Sequence, residues 1–162
     1  MVVNQEKIQL SDLDLSYLCF FLGRRVNELV VETMKNSGSG NVRESHGYVI
    51  QHFIESDRSI TELGQRMGVT QQAASKAVAE LIGLGILEAL PGADKRSKRI
   101  RLSEVGRGLV KASRDARKKI EKKIEKAIGK NQFENTKQTI LRCLEVVGGT
   151  KSIQQRRISI PE

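Results

Sequence analysis

Between Thr70 and Ala79 the chain alternates two kinds of side chain at helical spacing. Gln71, Gln72, Ser75, Lys76 and Ala79 fall on one face, and Ala74, Ala77, Val78 and Leu81 on the other. The polar face is suited to one kind of chemistry. A glutamine amide pairs in two-point fashion with adenine, a lysine donates to guanine, and the hydroxyls of Thr70 and Ser75 serve bases or phosphates. A second cluster follows, Asp94-Lys95-Arg96-Ser97-Lys98-Arg99, just after Pro91-Gly92. Four cations at a tight turn can hold phosphates or reach into a minor groove, and Asp94 is placed to steady Arg96 or Arg99 through an ion pair. Either cluster alone is what an ordinary solvated surface looks like. Their succession along the chain gives them weight.

Other chemistries find no such support. No nucleophile-and-base arrangement, paired-carboxylate cleft or metal-ligand spacing stands out, so neither catalysis nor a bound cofactor is expected. Gly38-Ser39-Gly40 is too short for a phosphate-binding loop and lacks its following lysine. His46 and His52, with Glu44, Glu55 and Asp57 nearby, resemble a ligand set only in composition; six residues apart, the two imidazoles do not share a helix face. Structural histidines and no metal are the expectation.

The two clusters need a scaffold, and the apolar periodicity supplies one. Leu15, Leu18, Leu22, Val26, Leu29 and Thr33 recur three and four apart from Asp12 to about Asn36, predicting a first helix. Asn36 to Asn41 stops it with glycines and small polar residues. A second helix carries His46, Val49, Ile50, Phe53 and Ile54. Ser59 with Glu62 reads as a capping box opening a short third helix that ends at Gly68. Gly68-Val69-Thr70 turns directly into the fourth helix, the one bearing the polar face, so the pair is a helix-turn-helix. After Gly83-Leu84-Gly85, Ile86–Leu90 and Arg99–Leu102 read as two strands joined by the basic turn. Ser103-Glu104 opens a long helix with the stripe Leu109, Ala112, Ala116, Ile120, Ile124, Ile128, ending at Gly129. Phe133, Ile140, Leu144 and Val147 mark a last helix, and residues 148–162 read as a loose polar tail.

The totals agree with a polyanionic partner. Of 162 residues, 28 are Lys or Arg and 19 Asp or Glu, for a formal charge of +9. Fifteen of the cations and only five of the acids lie between Pro91 and Lys130, so the surplus is localised there. The N-terminal stretch has neither the basic start nor the apolar core of a signal peptide, and no run has the length of a membrane span. Cys19 and Cys143, far apart, suit free thiols in a reducing compartment. A cytoplasmic location without membrane contact is expected.

Asp94-Lys95-Arg96-Ser97, followed by Ile100, Leu102, Ser103 and Gly106, resembles the wing signature of MarR-type regulators. Leu63-Gly64 through Gly85-Ile86-Leu87 is similar to that family's helix-turn-helix, with Ser75-Lys76 where it commonly has a hydroxyl residue and arginine. The resemblance implies a homodimer, interlocked through its first, fifth and sixth helices, that sets two winged lobes on a palindromic operator in double-stranded DNA. The sequence points the same way, because end helices roughly 37 and 40 Å long at ~1.5 Å per residue are too extended for one small core to cover. The resemblance also implies a pocket for a small phenolic or other aromatic effector between dimer helices and lobe, with Tyr17, Phe21, Arg25, His46 and Phe53 as candidates. Leu18-Cys19-Phe20 is similar to the reactive-cysteine region of the peroxide-sensing branch, which makes Cys19 a redox candidate. Gly23 and Thr33 stand where that branch has tyrosines, however, and a buried structural thiol is the expectation.

Two departures from the family pattern bear on function. Its second helix usually opens with a hydroxyl residue and carries glutamine and an aromatic further on; here Arg43, His46 and Gly47 occupy those places. Arg43 is a candidate phosphate contact. Lys76 replaces an arginine and offers a point donor rather than a fork.

The expectation is therefore a mainly α protein with a small β-hairpin wing. A dimerisation helix and loop occupies 1–41, the winged helix-turn-helix lobe 42–102, the C-terminal dimerisation helices 103–147, and the tail 148–162. DNA contact is assigned to Arg43, Thr70, Gln71, Gln72, Ser75, Lys76, Lys95, Arg96, Lys98 and Arg99, with Asp94 positioning the wing. The function expected is sequence-specific, ligand- or oxidant-modulated transcriptional regulation, with repression as its sense. The rival is a winged-helix module that holds an acidic protein partner.

Overall fold

Helix α1 (Leu15–Asn36) runs alongside the long α5 (Glu104–Ile128), and α6 (Lys130–Val146) packs back on α5. Between α1 and α5 in sequence lies a lobe built from α2 (Glu44–Ile50), α3 (Ile60–Met67), α4 (Gln71–Gly83), β1 (Leu87–Ala89) and β2 (Ile100–Leu102). The computed structural model describes residues 8–36, 42–90 and 98–154 of the chain.

The lobe forms where local chemistry demands it. At the start of α3, Ser59 Oγ accepts the Glu62 N–H at 3.2 Å while Glu62 Oε2 accepts the Ser59 N–H at 2.7 Å, satisfying two otherwise orphaned donors. The helix ends at Gly68, whose φ of 68° lies in the left-handed region that favours glycine. Two residues later Thr70 Oγ1 accepts the Ala73 N–H at 3.1 Å and opens α4. β1 and β2 pair antiparallel, Leu87 opposite Leu102 and Ala89 opposite Ile100. Arg58 adds a third rung on the other side of β2, exchanging two backbone bonds with Ile100 of 3.0 and 2.8 Å.

The core sits inside this lobe. Leu63, Met67, Val78, Leu81 and Leu87 are its largest fully buried apolar side chains, joined by Ala74, Ile86 and Ile100. Val30 and Met34 of α1, and Leu109 and Ala116 of α5, close it from the side of the long helices.

Several predicted elements shift. The first helix begins at Leu15, after a separate 3-10 turn at Leu10–Asp12. The second helix stops at Ile50 and continues as the 3-10 turn Gln51–Phe53, while its predicted stripe stays inward, His46, Val49, Ile50 and Phe53 being buried. Both strands are three residues long. Within the expected tail, Thr150–Gln154 forms a short helix, α7; residues 155–162 lie outside the described residues.

The largest difference concerns α1. Its predicted stripe is only half-buried at Val26, Leu29 and Thr33 and exposed at Leu15, Leu18 and Leu22, whereas Val30 and Met34 enter the core. Only the C-terminal half of α1 has a core to meet. α6 likewise buries no residue in the single chain.

Candidate nucleic-acid interface and adjoining cleft

Helix α4 presents Gln71, Gln72, Ser75, Lys76 and Ala79 to solvent and turns Ala74, Val78 and Leu81 into the core, with Ala77 at the boundary. The same five outer residues line a shallow open surface depression. Thr70 is exposed and spends its oxygen on the helix cap. The first turn of α4 thus offers a helix N-terminus together with amide, hydroxyl and ammonium groups, the donors and acceptors a major groove reads.

Of the predicted wing, Asp94, Lys95 and Arg96 lie outside the described residues. Lys98 and Arg99 are exposed at the base of β2. Arg99 donates through Nη2 to the backbone carbonyl of Asp57, which ties the hairpin to the segment ahead of α3. Arg58 anchors that segment from within, its Nε donating to the His52 carbonyl at 2.7 Å. Burial, and then the charge of nearby Arg66, lowers the Arg58 pKa. Ser103, buried behind the hairpin, donates to the carbonyls of Gly85 and Ile86 and accepts the Gly106 N–H at 3.0 Å, joining β2 to α5.

Arg43, assigned from sequence to phosphate contact, is exposed at the head of α2 and pairs through Nη2 with Glu80 of α4. Beneath it His46 is 4 % exposed. Its Nδ1 accepts the Arg43 N–H at 3.1 Å, so the neutral ring carries its proton on Nε2, 3.2 Å from Glu80 Oε1. The His46 hydrogen bond first, and the Arg43 charge after it, hold the Glu80 carboxyl below its ordinary pKa of 4.5. These three residues link α2 to the helix that bears the polar face.

On the other side of Arg43 a cleft of about 390 Å³ opens between α1, α2 and α5. Val30, Met34, Val42, Ile50, Ile54 and Leu109 make its apolar wall. Its polar lining includes Asn27, Glu44, Tyr48, Gln51 and three arginines, Arg43, Arg114 and Arg117. Asn27 bridges the helices, donating to Glu44 at 3.2 Å and accepting from Arg117 at 3.3 Å.

None of the five residues suggested for an effector pocket lines this cleft. Tyr17 and Phe21 stack on each other, ring centroids 6.2 Å apart, on the exposed N-terminal half of α1. Arg25 is occupied by Glu28 at 3.1 Å and Glu32 at 3.4 Å. His46 and Phe53 are buried in the lobe. Of the residues that do line it, Ile50, Ile54 and Leu109 stand on the apolar stripes read from sequence, while Val31, Tyr48, Gln51 and Arg114 lie off them. Arg114 and Arg117, three apart on the long basic helix, were the available signal.

Cys19, expected to be buried, is exposed in the single chain, and both cysteines are free thiols. Among the described residues no group of three His, Cys, Asp or Glu side chains could hold a metal ion. Among the same residues no helix is long and apolar enough to cross a membrane.

Residues 44–97, from the start of α2 into the basic turn, match the model of the MarR family. The match covers about a third of the chain and takes in α2, α3, α4 and β1. Solved structures of similar fold include a MarR family protein from Bacillus stearothermophilus, 15 % identical with a TM-score of 0.66 over 83 % of this chain and 93 % of that one. MepR, a transcription regulator of the Staphylococcus aureus multidrug efflux pump MepA, is 14 % identical with a TM-score of 0.66 over 83 % and 99 %. The oxidized form of MarR from E. coli is 14 % identical with a TM-score of 0.62 over 82 % and 95 %. At such identities the likeness is one of fold. No curated protein matches the sequence. The fold shared with these structures is a winged helix, with α3 and α4 as its helix-turn-helix.

Proposed function

We propose that this protein is a homodimeric, cytoplasmic repressor that binds a palindromic operator in double-stranded DNA and responds to a small ligand. One observation carries the reading: the exposed Gln71, Gln72, Ser75 and Lys76 on a rigidly capped α4, inside a MarR-family helix-turn-helix. Lys98 and Arg99, with Lys95 and Arg96 of the basic turn, are assigned to phosphates, and Asp94 to holding an arginine in place. These contacts would set affinity and register while α4 sets sequence preference.

Exposed apolar surface supports the dimer. Leu15, Phe20, Phe21 and Leu22 of α1, with Val146 and Val147 at the end of α6, lie open to solvent in one chain, more than a solitary soluble chain ordinarily leaves bare. A second copy covering them would hold two α4 helices at a fixed spacing. The cleft beside the lobe is the place for a ligand, which can act only by favouring one spacing over another.

Selection of bound duplexes from a random pool, with sedimentation of the complex, tests this. Half-sites about one duplex turn apart, bound by two chains, are expected. A monomer that retains no duplex at low salt would overturn it.

A further inference from the structure

Arg43 belongs to two sites at once. Its guanidinium lines the cleft between α1, α2 and α5, and it also pairs with Glu80, a residue of α4 that lies outside that lining. The side chain is 63 % exposed and that of Glu80 44 %, so solvent screens the pair, and an exchange of partner is cheap. The cleft itself has a definite chemistry. An apolar wall faces a polar side on which three arginines meet a single carboxylate, Glu44, and Glu44 is already engaged by Asn27. Arg117 is held by Asn27 and Ser113, and Arg114 has no ion-pair partner among the described residues. The fitting occupant is a compact apolar molecule carrying one acidic group.

We propose that Arg43 is a two-position link: an apolar anion in the cleft competes with Glu80 for its guanidinium, so that filling the cleft unties α2 from α4. The backbone at Arg43 need not move, since its N–H stays bonded to His46 Nδ1. His46, buried under the pair, keeps its own contact with Glu80 and becomes the sole remaining tie in this triad. α4 then gains freedom at Glu80, one turn beyond Lys76, and cleft occupation is felt on the face assigned to DNA. By linkage the effect is reciprocal: whatever holds Arg43 on Glu80 weakens the anion, and the reverse. The inference deepens the ligand-responsive reading above and rests on it for its consequence, though not for its test.

The test is a double-mutant cycle on the full-length protein without DNA, with 2-naphthoate as probe and uncharged 2-naphthamide as control, read by titration calorimetry. Wild type is expected to bind naphthoate and to bind naphthamide at least about tenfold more weakly, the loss of a charge-assisted contact. Glu80→Gln, which frees Arg43, should tighten naphthoate by about two- to fivefold, the most a screened pair is worth. Arg43→Gln should weaken it, and in that background Glu80→Gln should change nothing. Arg43→Gln alters an exposed side chain and spares the backbone bond to His46, and its thermal midpoint checks that the lobe is intact. Additive effects of the two substitutions would overturn the proposal, because a general field from Glu80 acts whether or not Arg43 is present. So would a wild type that binds naphthoate and naphthamide alike, or neither. Operator affinity with and without naphthoate, measured separately, reports on the regulatory reading. Additive effects together with a naphthoate-sensitive operator complex would sink the link and leave that reading standing.

Discussion

Gly106 lies against the backbone carbonyl of Ile86, so close that a methyl group at this position would stand 2.2 Å from the oxygen. The contact locks the start of α5 to the strand side of the lobe, where the Ile86 carbonyl also accepts bonds from the N–H of Ser103 at 3.0 Å and its hydroxyl at 3.1 Å. A backbone oxygen held by two donors cannot step aside. Gly106→Ala should therefore cost about 2–3 kcal/mol by overpacking. Gly108, on the same helix with open space around it, should tolerate alanine or gain from it. Denaturant midpoints of the two variants check this. Equal stability would mean that the joint between α5 and the lobe is soft.

What the sequence revealed, and what it hid, divides by distance along the chain. Ser59, Glu62, Gly68 and Thr70 act within three or four residues of themselves, and so α3, its turn and α4 were legible with their caps. The inward and outward faces of α4 followed from periodicity for the same reason. Arg43 and Glu80 are 37 residues apart, and Asn27 and Arg117 are 90 apart. No periodicity signals a pair of that separation. The polar side of the cleft is assembled from such partners, so it could not be read from apolar stripes even though Ile50, Ile54 and Leu109 of its wall lie on them, and the suggested Tyr17, Phe21 and Arg25 fell elsewhere on α1. Cys19, expected to be buried, is exposed in the single chain because that end of α1 meets no core of its own chain.

The capping box at α3 predicts a response to acid. The Ser59 backbone bond, more than the Ser59 hydroxyl, holds the Glu62 carboxyl below its ordinary pKa of 4.5, while slight burial works the other way. A carboxyl depressed in the folded state contributes stability that is complete above its unfolded value and is lost as pH falls through the folded one. Stability should therefore decline from about pH 4.5 downward, and Glu62→Gln should flatten the slope in that window while changing little at pH 7. Ser59→Ala removes the other half of the box and should cost about 1 kcal/mol at pH 7. Urea midpoints from pH 3 to 7 decide it; an unchanged slope in the glutamine variant would show that the reciprocal bond does not persist in solution.

Contacts of α4 and of the hairpin base should separate in salt. Gln72→Ala is expected to change preference at one position in each half-site, by about 1–3 kcal/mol against the favoured base, with the salt dependence intact. Lys98→Ala should weaken all sequences alike and reduce the logarithmic salt slope by about one unit per half-site. Arg96→Ala, in the basic turn, should do the same more strongly. Binding isotherms on the selected operator and a scrambled duplex, each at several salt concentrations, distinguish the two behaviours. Uniform loss for Gln72→Ala would remove that residue from base reading.

The bare end of α1 makes the last prediction. Tyr17 stacks on Phe21, and Phe20 meets Phe21 edge-on at 5.4 Å, yet all three are more than half exposed. Aromatic rings ordered against each other and left open to water are what a buried interface centre looks like when its partner is removed. In a two-fold dimer the same patch serves both copies, so one substitution acts twice. Phe21→Glu, at about 2 kcal/mol for each hot-spot ring, should weaken association by about 4 kcal/mol, roughly a thousandfold. Lys111→Glu, which changes charge more but lies exposed on α5, serves as the control and should leave association nearly unchanged. Cys19 supplies an independent readout from within the patch: its thiol, open in the single chain, should react with a bulky disulfide reagent slowly in the wild type and rapidly in Phe21→Glu. Sedimentation equilibrium and the thiol rate must move together. A variant that sediments as the wild type does, or a thiol equally quick in both, would place the dimer seam elsewhere.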